Sequence, residues 1–279
     1  MTQATALASP DPARWRALGF LFLGSALTVV DVSIVNVALP GIAAATGASE
    51  TELEWVAAAY ILAFALGLLP FGRFGDAFGR RLLFLWGLSG FTLMSLLCGL
   101  APGIGTLIAA RAGQGLTAAL MMPQVLAIAH TIFPEAEKPR VFGRFGMVTS
   151  LGAVAGPVLG GLLIALDPAG LGWRSVFLVN LPLGLLALWG AARFVPVDPL
   201  AGDRRFDLPG TALFALIGLL AVLPLIEGRL LGWPWYCLAA LASVPPLVLA
   251  FLALERHRAR RALPALIPPG LLRDRLFAG

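Results

Sequence analysis

The chain has 279 residues and a net charge of +5, and 59% of its residues are hydrophobic whereas 13% are charged. With a mean hydropathy of +0.88, it has too little polar surface to cover a soluble globule of this size. Its two cysteines and two histidines lack metal-ligand spacing, which indicates neither a metal site nor a cofactor. The composition predicts an integral membrane protein. Because the basic residues lie in short segments between apolar runs, it argues against nucleic-acid binding.

Eight apolar stretches follow one another along the chain, each about long enough to cross a hydrocarbon core of roughly 30 Å. We therefore predict an all-α membrane protein in which eight helices span the bilayer. Short connections rich in Gly, Pro and charge separate the spans. The predicted spans are residues 18–39, 53–72, 82–101, 105–132, 141–166, 175–195, 208–227 and 235–254.

Lys and Arg are concentrated in every second predicted connection and towards both ends of the chain. Cytoplasmic loops of membrane proteins are enriched in these residues. The pattern predicts a multi-pass protein of the cell (inner) membrane, surrounded by the lipid bilayer, whose two termini lie in the cytoplasm. On this topology, position 47 is expected to be reachable from outside and position 77 only from inside.

Four segments make up the predicted domain organisation. Residues 1–13 are polar, lack the pattern of a cleavable signal peptide, and are predicted to form a disordered cytoplasmic tail. Residues 14–195 are predicted to form a six-helix transmembrane bundle, and residues 196–262 a linker and an accessory pair of transmembrane helices. Residues 263–279 resemble the lead-in to another helix, so we expect a carboxy-terminal half that is missing or is a separate chain.

The first predicted span contains the stretch VVDVSIVNVALP, which places Asp31 and Asn36 in an apolar helix just before Pro40. This stretch resembles a motif of the fourteen-helix drug/proton antiporter group of the major facilitator superfamily, the EmrB/QacA type. Ser33 stands where that group has threonine. For Asn36, a hydrogen bond that fastens two helices is preferred over direct contact with a substrate.

The segment GRFGDAFGRR groups glycines and charges between the second and third spans and predicts a tight cytoplasmic turn over residues 72–81. It resembles the loop signature of the same superfamily, in which the aspartate contacts a neighbouring helix and stabilises one access state. Phe74 and Ala77 depart from the usual leucine and arginine. A simple cationic anchor between two spans is the alternative. The predicted gating residues are Gly72, Gly75, Asp76, Gly79, Arg80 and Arg81.

The fourth span contains RAGQG, which resembles the superfamily pattern R-x-x-Q-G at Arg111, Gln114 and Gly115. Arg111 and Gln114 are three residues apart and therefore share a helix face. Asp31 and Arg111 are expected at similar depths, where an isolated charge costs about 3 kcal/mol and needs a partner or water. We predict that Asp31, Arg111 and Gln114 form a proton-coupling site. A static ion pair that does not titrate is the alternative.

The fifth span contains GAVAGPVLGG, in which glycines recur every four residues and form a smooth groove on one helix face. The string resembles the antiporter signature of the superfamily, which is common to its exchangers. Close packing of two helices without a role in transport is the alternative. Residues 173–184, WRSVFLVNLPLG, also resemble the opening of the sixth span in the fourteen-helix group. The residues of the antiporter signature are Gly152, Gly156, Pro157, Gly160 and Gly161.

The resemblance covers residues 14–279 and implies a major-facilitator-like six-helix bundle followed by two further transmembrane helices. It implies the amino-terminal part of a proton-coupled exporter of amphipathic drugs or metabolites, with protons and a small substrate as partners and no cofactor. A split or non-transporting fragment that acts only with a partner half is the alternative. A membrane-embedded enzyme is disfavoured because the spans contain no evident nucleophile–base pair or metal cluster.

Overall fold

The computed structural model describes residues 13–197, 207–228, 231–261 and 263, which are largely helical and contain no β-strand. Almost all of the predicted cytoplasmic tail, part of the linker and the predicted lead-in to a further helix lie outside these ranges. Short 3-10 turns occupy Glu135–Glu137, Pro168–Gly170 and Gly172–Arg174. The α-helices are α1 (Ala13–Thr46), α2 (Glu50–Phe78), α3 (Arg80–Gly99), α4 (Ile104–Ile132), α5 (Lys138–Leu166), α6 (Ser175–Leu178), α7 (Asn180–Phe194), α8 (Leu208–Glu227) and α9 (Trp235–Arg260).

Eight helical segments in the described ranges are long and apolar enough to cross a membrane, which confirms the predicted all-α membrane fold and its number of spans. The sixth segment, residues 172–194, combines a 3-10 turn with α6 and α7. Helix α2 has a sharp start because Ser49 and Glu52 form a capping box, in which the Ser49 backbone N–H donates to Glu52 Oε2 at 2.8 Å.

The prediction of a turn over residues 72–81 is wrong in its extent. Gly72, Gly75 and Asp76 lie within α2, and the chain turns only at Gly79, whose φ is 102°. α3 begins at the next residue. Glycine is required at this turn because residues with a side chain rarely adopt positive φ. The other two glycines belong to a helix, so their role has to be sought in helix packing.

The six-span bundle is held by two sets of contacts. α4 packs against α2 and α3, α1 packs against α5 and α7, and α1 also contacts α4. Two apolar clusters fill the interior: one contains Leu21, Phe84 and Met121, and the other contains Ile34 and Trp173. The buried charged residues of α1 and α4 occur between these clusters along both helices. Apolar packing therefore encloses them from both ends.

The accessory helices α8 and α9 pack on each other, and α8 rests against α2. At that contact, a Cβ on Gly218 would lie 2.3 Å from Leu66 Cδ2, so a side chain there would require the Leu66 side chain to move. Asp207 caps α8 by accepting from the Gly210 backbone N–H at 2.8 Å. The Arg258 side chain, on α9, pairs with the same carboxylate at 3.0 Å. This ion pair closes one end of the helix pair.

A topology test follows from the alternating basic connections. We expect a cysteine introduced as Gly105→Cys, in the first turn of α4, to react with a membrane-impermeant maleimide applied outside the cell. A cysteine introduced as Ala136→Cys, in the turn between α4 and α5, should react only after the membrane is opened. Both positions are exposed. Labelling with the opposite sidedness would contradict the predicted orientation.

Positions 105 and 136 are better suited to labelling than positions 47 and 77. Gly47 has a φ of 69°, which a cysteine would adopt only with strain, and Ala77 is 3% exposed. The native Cys98 and Cys237 are both buried. A background in which both are alanine provides the unlabelled control.

Candidate functional site

Five polar side chains are buried where the first, second, third, fourth and sixth spans approach one another. Asp31, Ser95, Arg111, Gln114 and Asn180 are each at most 1% exposed. A charged or amide group without water requires internal hydrogen bonds, because an unsatisfied polar group in an apolar medium is costly. Each of these side chains is therefore held in place by hydrogen bonds within the protein.

Asp31 and Arg111 form the centre of this cluster. Arg111 Nη1 donates to Asp31 Oδ2 in a fully buried ion pair. Arg111 Nη1 also donates to Gln114 Oε1 at 2.6 Å, and Arg111 Nε donates to the carbonyl oxygen of Val56 on α2 at 3.0 Å. The guanidinium carbon lies 4.5 Å from the centroid of the Tyr60 ring, a favourable cation–π distance. The cation thus joins α1, α2 and α4.

The second carboxylate oxygen of Asp31 is held by two amides. Gln114 Nε2 donates to Asp31 Oδ1 at 2.8 Å, and Asn180 Nδ2 donates to the same atom at 2.9 Å. Ser95 on α3 accepts from Gln114 Nε2 at 2.8 Å and from Asn180 Nδ2 at 3.4 Å. Through these bonds, α3 and α7 join the helices that Arg111 connects. A single carboxylate therefore anchors five of the six spans of the bundle.

The structure brings together the three residues predicted as the proton-coupling site and adds two that sequence reasoning does not identify. Ser95 has no distinguishing signal, because serine is common in spans that pack closely. Asn180 lies in the stretch WRSVFLVNLPLG, whose resemblance to a sixth span assigns no role to the asparagine. An amide within an apolar span is the available signal.

The glycines of the fifth span face α1. A Cβ added to Gly156 would lie 1.9 Å from Ser33 Oγ, and one added to Gly160 would lie 2.8 Å from Ile34 Cγ1. Gly152 is also buried against α1, where an added Cβ would be 3.4 Å from the nearest side chain. The predicted groove is therefore an α1–α5 contact. The α1 residues that fill it are close neighbours of Asp31 in the sequence.

The other predicted residues of the fifth-span and first-span motifs do not contribute to the α1–α5 contact. A Cβ on Gly161 would meet no atom within 4 Å, and Pro157 is exposed. Asn36 and Pro40, on α1, are also exposed. Asn36 makes no hydrogen bond within the described part of the chain, so the preferred interpretation as a fastener between two helices has no support among those residues.

The charges at the α2–α3 turn bind neighbouring helices. Asp76 Oδ1 accepts from Arg80 Nη2 at 2.9 Å, and Arg80 Nη1 donates to Thr131 Oγ1, on α4, at 2.7 Å. Arg81 Nη2 donates to the carbonyl oxygen of Ala192, on α7. The turn between α2 and α3 is thereby tied to the ends of α4 and α7.

Gly75 permits the close approach of a neighbouring helix. A Cβ on Gly75 would lie 1.9 Å from Oε1 of Gln124, a buried residue of α4. Gln124 Nε2 donates to the Phe71 carbonyl oxygen at 2.9 Å. Gly72 lies beside Pro123 of α4, and a Cβ added to this glycine would be 3.8 Å from the proline Cβ. A side chain would fit at Gly72 but not at Gly75, so Gly75 allows the close approach of Gln124 on α4.

The family of the chain follows from its sequence as well as from this fold. A family model for the Major Facilitator Superfamily matches residues 21–268. The chain belongs to the Major Facilitator Superfamily. The buried cluster and the α1–α5 groove both lie within the matched residues, so they are features of a superfamily member.

Several relatives in the superfamily are similar over most of this chain. It is 39% identical over 273 residues to a probable actinorhodin transporter of Streptomyces coelicolor, in a match that covers 97% of this chain and 47% of the relative. It is 41% identical over 279 residues to a puromycin resistance protein of Streptomyces alboniger, covering 99% of this chain and 54% of the relative. A cephamycin export protein of Amycolatopsis lactamdurans is 42% identical over 251 residues, in a match that covers 88% of this chain and 50% of the relative. The chain spans about half the length of these relatives.

Solved structures of superfamily transporters share the fold. A bacterial homologue of the human lysosomal transporter Spinster, inward-facing and unoccupied, superimposes with a TM-score of 0.58 and 21% identity, covering 94% of this chain and 67% of that one. The human organic anion transporter MFSD10 gives a TM-score of 0.56 and 20% identity, in a match that covers 78% of this chain and 56% of that one. At this identity, the likeness establishes the architecture.

The groove on α5 gives a matched pair of substitutions. Gly156→Ala should destabilise the protein by about 1–3 kcal/mol, because its methyl group would overlap Ser33 and the α1 backbone. Gly161→Ala adds the same methyl group on the same helix in open space. Because alanine favours a helix over glycine, this variant should leave the thermal unfolding temperature in detergent unchanged or slightly higher. Equal unfolding temperatures for the two variants would show that α1 and α5 are not in close contact at Gly156.

Proposed function

We propose that this chain forms the amino-terminal part of a proton-coupled exporter of small amphipathic drugs or metabolites. The observation that carries the proposal is the buried Asp31–Arg111 ion pair, which joins α1 to α4 and is shared by hydrogen bonds with α3 and α7. An ionisable group within a membrane-spanning bundle is expensive and is characteristic of ion and proton pathways. Asp31 is the acidic residue among the five buried polar side chains.

In the proposed mechanism, Asp31 is the residue that takes up and releases the transported proton. When it is ionised, its charge is balanced by Arg111 and its two oxygens accept from Arg111, Gln114 and Asn180. Uptake of a proton removes the negative charge and weakens all three of these bonds. Because they link different helices, protonation changes the relative free energies of the bundle's arrangements, which is the requirement for coupling.

The gating role is proposed for the α2–α3 turn. Asp76 and Arg80 are an exposed pair four residues apart, and such pairs contribute only about 0.3–0.5 kcal/mol to stability. Arg80 and Arg81 also bind α4 and α7. A weak contact of this kind suits a latch that must open in each cycle. We propose that it stabilises one access state, together with the glycines at positions 72, 75 and 79.

The substrate class rests on the relatives. Their names refer to transport of actinorhodin, resistance to puromycin and export of cephamycin. We propose a small amphipathic compound of the same broad class. The α5 glycine signature, with its groove against α1, supports export because the matching pattern is common to exchangers of this superfamily.

The membrane placement is part of the proposal. The alternating basic connections favour the cell (inner) membrane with both termini in the cytoplasm. We further propose that transport requires a second helical half, in the same or a separate chain, because substrate sites of transporters with repeated halves lie between them. A non-transporting fragment is the alternative, and co-expression with a second half would not produce efflux in that case.

The proton-coupling role is tested with Asp31→Asn in the full-length transporter. This variant should abolish efflux driven by a proton gradient, while passive exchange of substrate down its own gradient persists. Efflux is measured in inverted vesicles with an imposed pH difference. Glu54→Gln, at an exposed position of α2, provides a control that removes a carboxylate without affecting the cluster. Proton-driven efflux at the native rate in Asp31→Asn would contradict the role.

Loss of folding has to be separated from loss of coupling. Asp31→Asn leaves the Arg111 cation without its counter-ion, and breaking a buried pair in this way costs about 3–5 kcal/mol. The double variant Asp31→Asn/Arg111→Gln removes both charges and should recover much of this stability. If the double variant folds and retains passive exchange of substrate but still shows no proton-driven efflux, the defect lies in coupling.

The latch is tested with Asp76→Asn, again in the full-length transporter. The substitution keeps an oxygen acceptor for Arg80 but removes the charge, so the free energy of unfolding should fall by at most about 0.5 kcal/mol. The efflux rate should nevertheless fall clearly, with substrate affinity retained. Thermal unfolding, substrate binding and efflux are measured on the same preparation. Native efflux in the presence of normal expression would exclude a gating role for Asp76.

A further inference from the structure

We propose that Asn180 is a positioning residue whose side-chain amide turns over when Asp31 takes up a proton, and that it thereby passes the protonation state from α1 to α7. This inference rests on the proposed function, because it requires Asp31 to titrate. It adds a residue and a movement that neither the sequence motifs nor the relatives assign.

The amide of Asn180 is bonded at one atom only. Its Nδ2 donates to Asp31 Oδ1 at 2.9 Å and to Ser95 Oγ at 3.4 Å. Its Oδ1 is buried and has no hydrogen-bond partner within the described part of the chain. The residue as a whole is 1% exposed. A buried acceptor without a donor is costly, so its position here calls for an explanation.

The ionised carboxylate determines this orientation. If the amide were reversed, Asn180 Oδ1 would face the negatively charged Asp31 Oδ1, and two acceptors would oppose each other. An ionised carboxylate only accepts hydrogen bonds, whereas an amide can present either a donor or an acceptor. The observed orientation of the Asn180 amide is therefore the one that suits ionised Asp31. It leaves Asn180 Oδ1 without a hydrogen bond from the described residues.

Protonation of Asp31 reverses that preference. A proton on Oδ1 would point at two donors, Gln114 Nε2 and Asn180 Nδ2, so at least one amide has to give way. Protonation on Oδ2 meets the same conflict with Arg111 Nη1. Turning the Asn180 amide presents Oδ1 as an acceptor for the new O–H group. The proton then remains on Asp31, and no covalent bond of Asn180 changes.

Gln114 is held more firmly than Asn180. Its Oε1 accepts from Arg111 Nη1 at 2.6 Å, and its Nε2 donates to both Asp31 and Ser95 at 2.8 Å. Reversing the Gln114 amide would break all of these bonds. Reversing the Asn180 amide would exchange its Nδ2 bond to Asp31 for one accepted by Oδ1 and would lose the 3.4 Å bond to Ser95. It would break no bond at Oδ1, because none is made there by the described residues. Asn180 is therefore the amide that turns.

The ionisable neighbours of Asp31 come from other helices. Arg111 faces it from α4, the ring of Tyr60 on α2 packs against Arg111, and Cys98 Sγ on α3 donates to Gln114 Oε1 at 3.7 Å. α7 contributes the uncharged Asn180 to this cluster. A proton-dependent change in the bonding of α7 is thus transmitted through Asn180 and does not require a charge on α7 itself.

The position of Asn180 in the chain favours transmission. It is the first residue of α7, directly after the residue that separates α6 from α7. Val179 has helical dihedral angles, with φ −61° and ψ −25°, so the backbone stays helical through this point. Changing the bonds of Asn180 to α1 and α3 therefore acts directly on the helix of the sixth span.

The experiment uses the full-length transporter in liposomes, with asparagine labelled at its side-chain carbonyl carbon. Infrared difference spectra between acidic and alkaline samples report the protonated carboxyl of Asp31 and the carbonyl of the asparagine amides. This chain contains two asparagines, Asn36 and Asn180. We expect a carboxyl band and a shift of a labelled amide band that appear over the same pH range.

Four variants assign the two bands. Asp31→Ala, which introduces no labelled amide, should cause loss of both, and Asn180→Leu should cause loss of the amide response while the carboxyl band remains. Asn36→Leu, at an exposed position, is the matched control and should leave both unchanged. Asn180→Thr provides a second assignment if the leucine variant does not fold, because its shorter hydroxyl side chain also lacks the labelled carbonyl.

The outcomes separate this inference from the proposed function. Coupled carboxyl and amide responses that respectively require Asp31 and Asn180 support the turning amide. An Asp31 carboxyl band without an amide response overturns the role of Asn180 and leaves Asp31 as the coupling residue. Absence of any Asp31 carboxyl band over the pH range in which efflux operates overturns both proposals.

Discussion

The cost of placing one charge in the middle of a membrane-spanning bundle is the constraint on which the rest of the structure depends. An isolated Asp or Arg at this depth costs about 3 kcal/mol or more, so Asp31 must have Arg111 beside it and both need further hydrogen bonds. Those bonds come from α2, α3 and α7 as well as α1 and α4. The helices therefore cannot slide independently, because any shift leaves a buried polar group unpaired.

The ion pair was predictable because charge within an apolar span is conspicuous and helix geometry fixes its depth. Ser95 and Asn180 were not, since neutral polar side chains carry no charge signal and their partners lie on helices remote in the sequence. The number of spans followed from length and hydropathy alone. Contacts among the spans depend on which faces meet, and a single sequence without pairing information does not specify them.

Glycine explains the main error in the predicted boundaries. In the segment of residues 72–81, three glycines predicted a tight turn, but only Gly79 has positive φ. Gly75 is helical and makes room for Gln124, which had no motif to identify it. The same residue type thus serves backbone conformation at one position and close packing at another. Sequence spacing alone does not distinguish these uses, whereas the neighbouring helix does.

The single-residue connection at Gly79 has a mechanical consequence for the bundle. A connection of one residue has no slack, so the adjoining ends of α2 and α3 must move together even where the angle between the two helices changes about Gly79. Arg80 and Arg81, directly after this connection, bind α4 and α7. A displacement of this corner would therefore shift the ends of α2 and α3 together and break the contacts to α4 and α7.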